Sequence, residues 1–129
     1  MNICTHERID TGLCGTVTAL AEGSSRVEMK TLAQMAVDAH GLVHGGFIFG
    51  LADHAAMVAV NHPHVVLGAA EVKFLKPVRV GDTVVAEAVV AEVSGRKHIV
   101  PVTVRSGAEP VFEGQFTCFV LGRHVLAES

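Results

Sequence analysis

An antiparallel sheet of five or six strands wrapped around one central helix, an α+β fold, is what the 129-residue sequence predicts. Two observations carry this prediction. The run Gly45–Asn61 is apolar on nearly every face, and a helix without a polar face is enclosed on all sides. Around it lie Val-rich, β-like runs, short ones before residue 32 and longer ones after Pro63. Antiparallel strands packed on one apolar helix give a two-layer arrangement. Half of the residues are apolar and the mean hydropathy is +0.44, ample for one core, so residues 1–129 read as a single domain.

Gly15–Ala21 and Arg26–Thr31 are the first expected strands, joined as a hairpin by the polar turn Glu22-Gly23-Ser24-Ser25, whose glycine readily takes positive φ. Leu32–Val43 lacks a clean period and contains His40-Gly41, so it reads as a loop leading into the helix. Pro63 prevents the helix from continuing. Val65–Leu75, Asp82–Val93, Lys97–Arg105 and Glu109–Leu121 follow as strands, with turns at Gly81-Asp82, Ser94-Gly95 and Ser106-Gly107. A sheet curled round one helix leaves its edges and the helix ends bare. A symmetric partner that continues the sheet is therefore expected, making at least a homodimer.

Composition removes several function classes. The net charge is −3 and the pI about 6.2, with Lys and Arg scattered, so the electrostatic footprint of a nucleic-acid binder is missing. Residues 1–12 carry Glu7, Arg8 and Asp10 and no apolar segment, unlike a secretory signal. The longest apolar run is too short to span a bilayer and contains Asp53 and His54, so no membrane partner is expected. A soluble, cytoplasmic protein is the expectation. Cys4, Cys14 and Cys118 form an odd set with no CxxC pair, which argues for reduced thiols rather than disulfides or a structural metal site.

One residue breaks the apolar run. Asp53 lies near its middle, and an ionised carboxylate is almost never fully buried without a partner, because losing its hydration costs several kcal/mol or more. Chemistry at the mouth of a pocket, where protonation can be tuned, is the best use of such a group. Binding to backbone donors or to a Lys is the structural alternative.

The segment HGGFIFGLAD, residues 44–53, followed by Asn61 and by KFLKPVRVGDTVVAEA, residues 73–88, resembles the hotdog-fold acyl-CoA thioesterases of the phenylacetate-degradation type. The resemblance covers roughly Thr16 to Leu121. It implies hydrolysis of an acyl-CoA to the free acid and CoA, with no separate cofactor, in a homodimer or a homotetramer built as a dimer of dimers. It also implies two catalytic positions. The Gly45 N–H, at the positive end of the helix dipole, would donate to the thioester carbonyl oxygen, where the missing side chain permits close approach. Such a donor can lower a barrier by roughly 3–4 kcal/mol. Asp53 would act either as nucleophile, through a mixed anhydride, or as general base for water.

Spacing adds a constraint of its own. Eight residues of helix span about 12 Å, too far for Gly45 and Asp53 of one chain to flank the same thioester carbon. If both act, they come from different subunits, and the active sites lie at the dimer interface.

Other positions carry weaker expectations. His44 is either a substrate contact or, better, a hydrogen-bonded structural residue ahead of the helix. Gly46 belongs to the same substrate-facing turn. Asn61 matches an Asn of the family and also suits a helix end. His54 points about 100° away from Asp53, so the two are no acid–base dyad. Lys73, Arg96 and Lys97, with Lys76 and Arg79, are candidates for the CoA phosphates, or a solvated rim. Phe47, Phe49 and Met57 either shape an acyl pocket or fill the core. The apolar helix favours aryl or medium-chain acyl groups over small polar ones. The chain is expected to lack the N-terminal helix that many relatives carry.

Two rival classes remain. Some hotdog domains bind acyl-CoA without turning it over, inside transcription regulators, and would not need Asp53. Hotdog hydratases place an Asp and a His before the helix with an Asp-x5-His spacing, but Asp38 and His40 lie only two apart.

Overall fold

The computed structural model describes residues 1–127. One sheet curls around one long helix. Its strands are β1 (Thr16–Ala21), β2 (Ser24–Lys30), β3 (Val65–Phe74), β4 (Thr83–Val89), β5 (Glu92–Ser94), β6 (Lys97–Ser106) and β7 (Glu109–Val120). The order is β1-β2-β4-β6-β7-β3, antiparallel throughout, and the short β5 pairs with β6. The expected α+β hotdog architecture is therefore present, with seven strands. The extra one arises because the predicted strand Asp82–Val93 breaks after Val89. Val90 N–H turns aside to the Gly23 carbonyl and Ala91 N–H to that of Ile99, so the chain leaves one neighbour for another.

The helix α2 (Gly45–Val60) fills the concave face, packed against β2, β4, β6, β3 and β7. Its core residues are small: Ala52, Ala55, Ala56 and Ala59 are buried, as are Ala86 and Ala88 of β4. Small side chains at the crossing let helix and sheet approach closely, and Val100, Val102, Val104, Phe112 and Phe116 fill the rest of the core. Alternation explains the sheet's half: Val84, Ala86 and Ala88 of β4, Val100, Val102 and Val104 of β6, and Phe112, Phe116 and Cys118 of β7 are buried, and the residues between them are more exposed. Ser25, buried on β2, donates from its hydroxyl to the Ala55 carbonyl at 2.6 Å and pins the helix to the sheet.

The helix ends where Asn61 turns left-handed, at φ 50° and ψ 58°, donating its N–H to Met57 O. Asn tolerates that conformation better than most residues. Its side chain also holds the N-terminal segment, accepting from the Cys4 N–H and donating to the Asn2 carbonyl, both at 2.9 Å.

The N-terminal expectation needs correction, because Thr11–Cys14 form one helical turn, α1, capped by the Asp10 carboxylate. Gly15 then redirects the chain into β1 at φ 91°. A Cβ there would stand 2.6 Å from Leu51 Cδ1, so any side chain would collide with the core. The connection 31–44 is also more ordered than a plain loop. Ala33–Met35 form a 3₁₀ turn, Ala36 bridges to Val43 and Leu42 to Arg79, and the Asp38 carboxylate accepts from the N–H groups of His40 and Leu42.

Candidate active site

Gly45 opens α2 where two clamps meet. Val43 N–H donates to Val78 O and His44 N–H to Met35 O, each at 2.9 Å, and His44 itself is extended at φ −61° and ψ 130°. The chain is thus held straight up to the residue where helical geometry starts. Among the described residues the Gly45 N–H has no hydrogen-bond partner. An unpaired first-turn amide at the positive end of a 16-residue helix is suited to an oxygen that gains negative charge. The glycine is also sterically required, since a Cβ would lie 3.0 Å from Cε1 of the Phe74 ring. A cleft of about 280 Å³ adjoins it, walled by Leu42, Val43, Ile48, Phe74, Val78 and Val111.

Asp53 lies two turns further along α2. Its Oδ1 is buried and has no hydrogen-bond partner. Burial pushes its pKa up to about 6, because desolvation penalises the ionised form. Its charge in turn reaches two thiols. Cys118 is pushed up to about 12, first by its own burial and then by Asp53, and Cys14 is raised by burial, Asp10 and Asp53. Among the described residues no lysine or backbone donor ties Asp53 down, which removes the structural reason for a carboxylate there.

The two groups lie on different faces as well as at different heights. Eight residues turn the helix about 80° beyond two full turns over about 12 Å, so one chain does not bring Gly45 and Asp53 together. Asp53 shares its face with Gly46, Phe49 and Gly50, which are spaced at three to four residues. The Phe49 ring packs on Phe116 at 5.4 Å, whereas Gly46 is exposed and a Cβ added at Gly50 would meet nothing within 4 Å. The helix is open along its glycines.

The remaining predicted residues fall in several places. His44 makes no capping hydrogen bond, which corrects the expectation of a hydrogen-bonded structural His. Its ring folds over Gly46, whose Cβ would lie 2.9 Å from Nε2, and meets Phe47 edge-on at 6.1 Å. Gly46 thus makes room for the imidazole. Met57 is 1% exposed inside the core, so the structure makes it packing rather than a cleft wall. Asn61 ends the helix about 24 Å from Gly45, with its amide engaged by the N-terminal segment. His54 is buried and its Nδ1 lies 3.0 Å from the Cys14 carbonyl, tying α2 to α1, while burial lowers its pKa.

The basic residues do not converge within one chain. Lys73 stands directly opposite Glu113 on the outward face of the sheet, beside Glu71 and away from Gly45. Lys76 alone of them lines the Gly45 cleft, ion-paired with Glu109, and Arg79 closes a turn with Asp82, whose carboxylate accepts its backbone N–H. Arg96 and Lys97 lie at the far end of the sheet: Lys97 pairs with Phe119, whereas Phe74 beside Gly45 pairs with Phe112, about 23 Å along β7. Asp38 and His40 are held in a turn, with the Asp38 carboxylate occupied by backbone donors.

Phe74 is the residue that sequence reading passed over. Its signal was alternation: Ala70, Val72 and Phe74 share the helix-facing side of β3, with Phe74 at the strand end over Gly45.

The fold defines a hotdog-fold protein. Residues 40–112 match the thioesterase superfamily, and the chain belongs to that family. An uncharacterized protein from Pyrococcus horikoshii is 52% identical, with a TM-score of 0.98 and 98% of each chain covered. A mutant of the phenylacetic acid degradation protein PaaI from Thermus thermophilus is 32% identical, with a TM-score of 0.77, covering 84% of this chain and 95% of that one. Curated relatives are longer. The chain is 51% identical over 122 residues to a methylthioribose-1-phosphate isomerase of Aquifex aeolicus, spanning 94% of this chain but 27% of that protein. It is 34% identical over 80 residues to the transcription factor FapR of Caldanaerobacter subterraneus, 62% of this chain and 40% of that one. No helix among the described residues is long and apolar enough to cross a membrane.

Proposed function

We propose that this chain is an acyl-CoA thioesterase acting as a homodimer, each site combining the Gly45 N–H of one subunit with Asp53 of the other. The observation that carries it is the Asp53 Oδ1, buried and unbonded on the helix face of the open glycines, in a chain whose Gly45 amide is also unpartnered. Neither group has a structural task, and no single chain can use them together.

The chemistry follows from these two groups. The thioester carbonyl oxygen binds the Gly45 N–H, which stabilises the negative charge that grows on it. In one route the Asp53 carboxylate takes a proton from water as the water oxygen bonds to the carbonyl carbon. Collapse then breaks the C–S bond, and the thiolate of CoA receives the proton. In the other route the carboxylate itself attacks, the thiolate leaves, and water hydrolyses the resulting anhydride. A single turnover in ¹⁸O-labelled water separates the two, since only the second places label in Asp53.

A partner paired antiparallel along the β3 edge would bring the Val65 end of one strand beside the Phe74 end of the other. Arg96 and Lys97 of one subunit would then approach Gly45 of its mate, where they suit the CoA phosphates. The apolar side chains of the cleft, Leu42, Val43, Ile48, Phe74 and Val111, favour an arylacetyl or medium-chain acyl group, and the structural likeness to a phenylacetic acid degradation protein points to the same substrates.

The test is thiol release from aryl, medium-chain and short acyl-CoAs, native protein against Asp53→Asn. Turnover by the native protein with a loss of about 10³-fold or more in the variant, acyl-CoA still binding, supports the reading. The likeness to transcription factors favours one alternative, an acyl-CoA-binding module within a larger protein. Binding without turnover in the native protein would establish it.

A further inference from the structure

We infer that Phe74 is the specificity-determining residue of this site, its ring rejecting acyl groups that are branched or ring-substituted at the carbon next to the thioester carbonyl. The inference rests on the thioesterase reading and adds the acyl class that the site accepts.

The geometry is local to the reacting centre. Phe74 lies at the last position of β3, on the helix-facing side, and its ring covers the Gly45 Cα so closely that Cε1 would touch a Cβ at 3.0 Å. A carbonyl oxygen seated on the Gly45 N–H would bring its acyl group to the cleft that Gly45 and this ring line together. The same cleft is lined by Val43, Ile48 and Val111, all buried and fixed by the core. An acyl chain entering it shares the space with the ring.

The ring cannot simply withdraw inward. Phe112, fully buried, meets it edge-to-face at 5.1 Å and is itself backed by Phe116 at 6.4 Å. Outward, however, Phe74 is 55% exposed, so removing its ring leaves the buried core in place. An unbranched CH₂ beside the carbonyl fits the gap, whereas a methyl branch or an aromatic carbon there collides with the ring. A clash built against the wrong substrate is one of the two routes to specificity.

The test compares kcat/KM for butyryl-CoA against isobutyryl-CoA and for phenylacetyl-CoA against benzoyl-CoA, using native protein, Phe74→Ala and Phe74→Trp. The native protein should favour the unbranched member of each pair by about tenfold or more, the scale of one methyl group in a tight pocket. Phe74→Ala should bring both ratios to within about threefold, chiefly by raising the branched substrates, and Phe74→Trp should widen them. A thermal unfolding scan checks that each variant is folded. If Phe74→Ala lowers stability, Phe74→Leu supplies the comparison. Ratios unchanged across the variants, in a protein that does hydrolyse acyl-CoA, overturn the inference alone. Absence of both turnover and acyl-CoA binding in the native protein removes the thioesterase reading, and the inference falls with it.

Discussion

Asp53 concentrates the physics of this protein. Its folded pKa of about 6 stands above the ordinary carboxylate value, because burial disfavours the charge and no donor offsets the loss. Both proposed routes need the ionised form. The kcat/KM profile should therefore fall about tenfold per unit as pH drops below about 6 and level off above it, whichever route operates. Stability should show the opposite trend. Below the unfolded value both states hold the proton and Asp53 contributes nothing. As pH rises from there to about 6, the unfolded chain releases its proton first, so the folded state loses stability progressively and stays weakened above. Asp53→Asn, which cannot ionise, should be more stable than the native protein by about 1–3 kcal/mol at pH 8, a difference that shrinks towards pH 4 in urea titrations. A variant that gains stability while losing turnover identifies a residue kept for chemistry.

At the level of elements, α2 is held at both ends by backbone conformation and at its middle by side chains. Ser25 bonds to Ala55 O and His54 to Cys14 O, so β2 and α1 fix the rotation that turns Asp53 to the side of the open glycines. The C-terminal end depends on Asn61, at positive φ with its amide engaged by residues 2 and 4. The two tasks are separable. Asn61→Gly should keep the turn but free the N-terminal segment, leaving global stability within about 0.5 kcal/mol and accelerating hydrogen exchange at the Cys4 amide. Asn61→Ala should lose both and cost about 1–2 kcal/mol more, because Ala resists the left-handed conformation. Equal stability of the two variants would show that the N-terminal contacts, not the helix end, carry the energy. The strand break after Val89 belongs to this scale as well. A continuous Val-rich run reads as one strand, and only the competing carbonyls of Gly23 and Ile99 divide it.

For the whole molecule, the open features align. The helix is uncovered at Gly46 and Gly50, and β3 is a ten-residue edge strand with a free side. Its one irregularity is the bulge at Gly68, where the Phe119 ring lies over the backbone. A long unpaired edge is a template for a second strand. The decisive prediction concerns subunit crossing. A heterodimer of one Gly45→Val chain and one Asp53→Asn chain should recover one of two sites, about half the native kcat, although each variant alone is inactive. Failure of mixed, re-associated subunits to regain any turnover would place both groups of each site in one chain.

The sequence alone determined the helix, the sheet that wraps it and Asp53 as a candidate, because these rest on local periodicity, turn chemistry and the cost of burying a carboxylate; Gly45 joined Asp53 only through the family resemblance of residues 44–53. It also showed that the two groups stand too far apart in one helix, since helical rise is independent of context. Only the tertiary structure decided which side chains share a face and an end of the sheet. It moved Lys73 behind the sheet, put Arg96 and Lys97 at the far end, enclosed Met57, and brought Phe74 over Gly45 from 29 residues away in sequence. Those relations depend on strand register and on packing between distant segments, neither of which has a local signature in the chain.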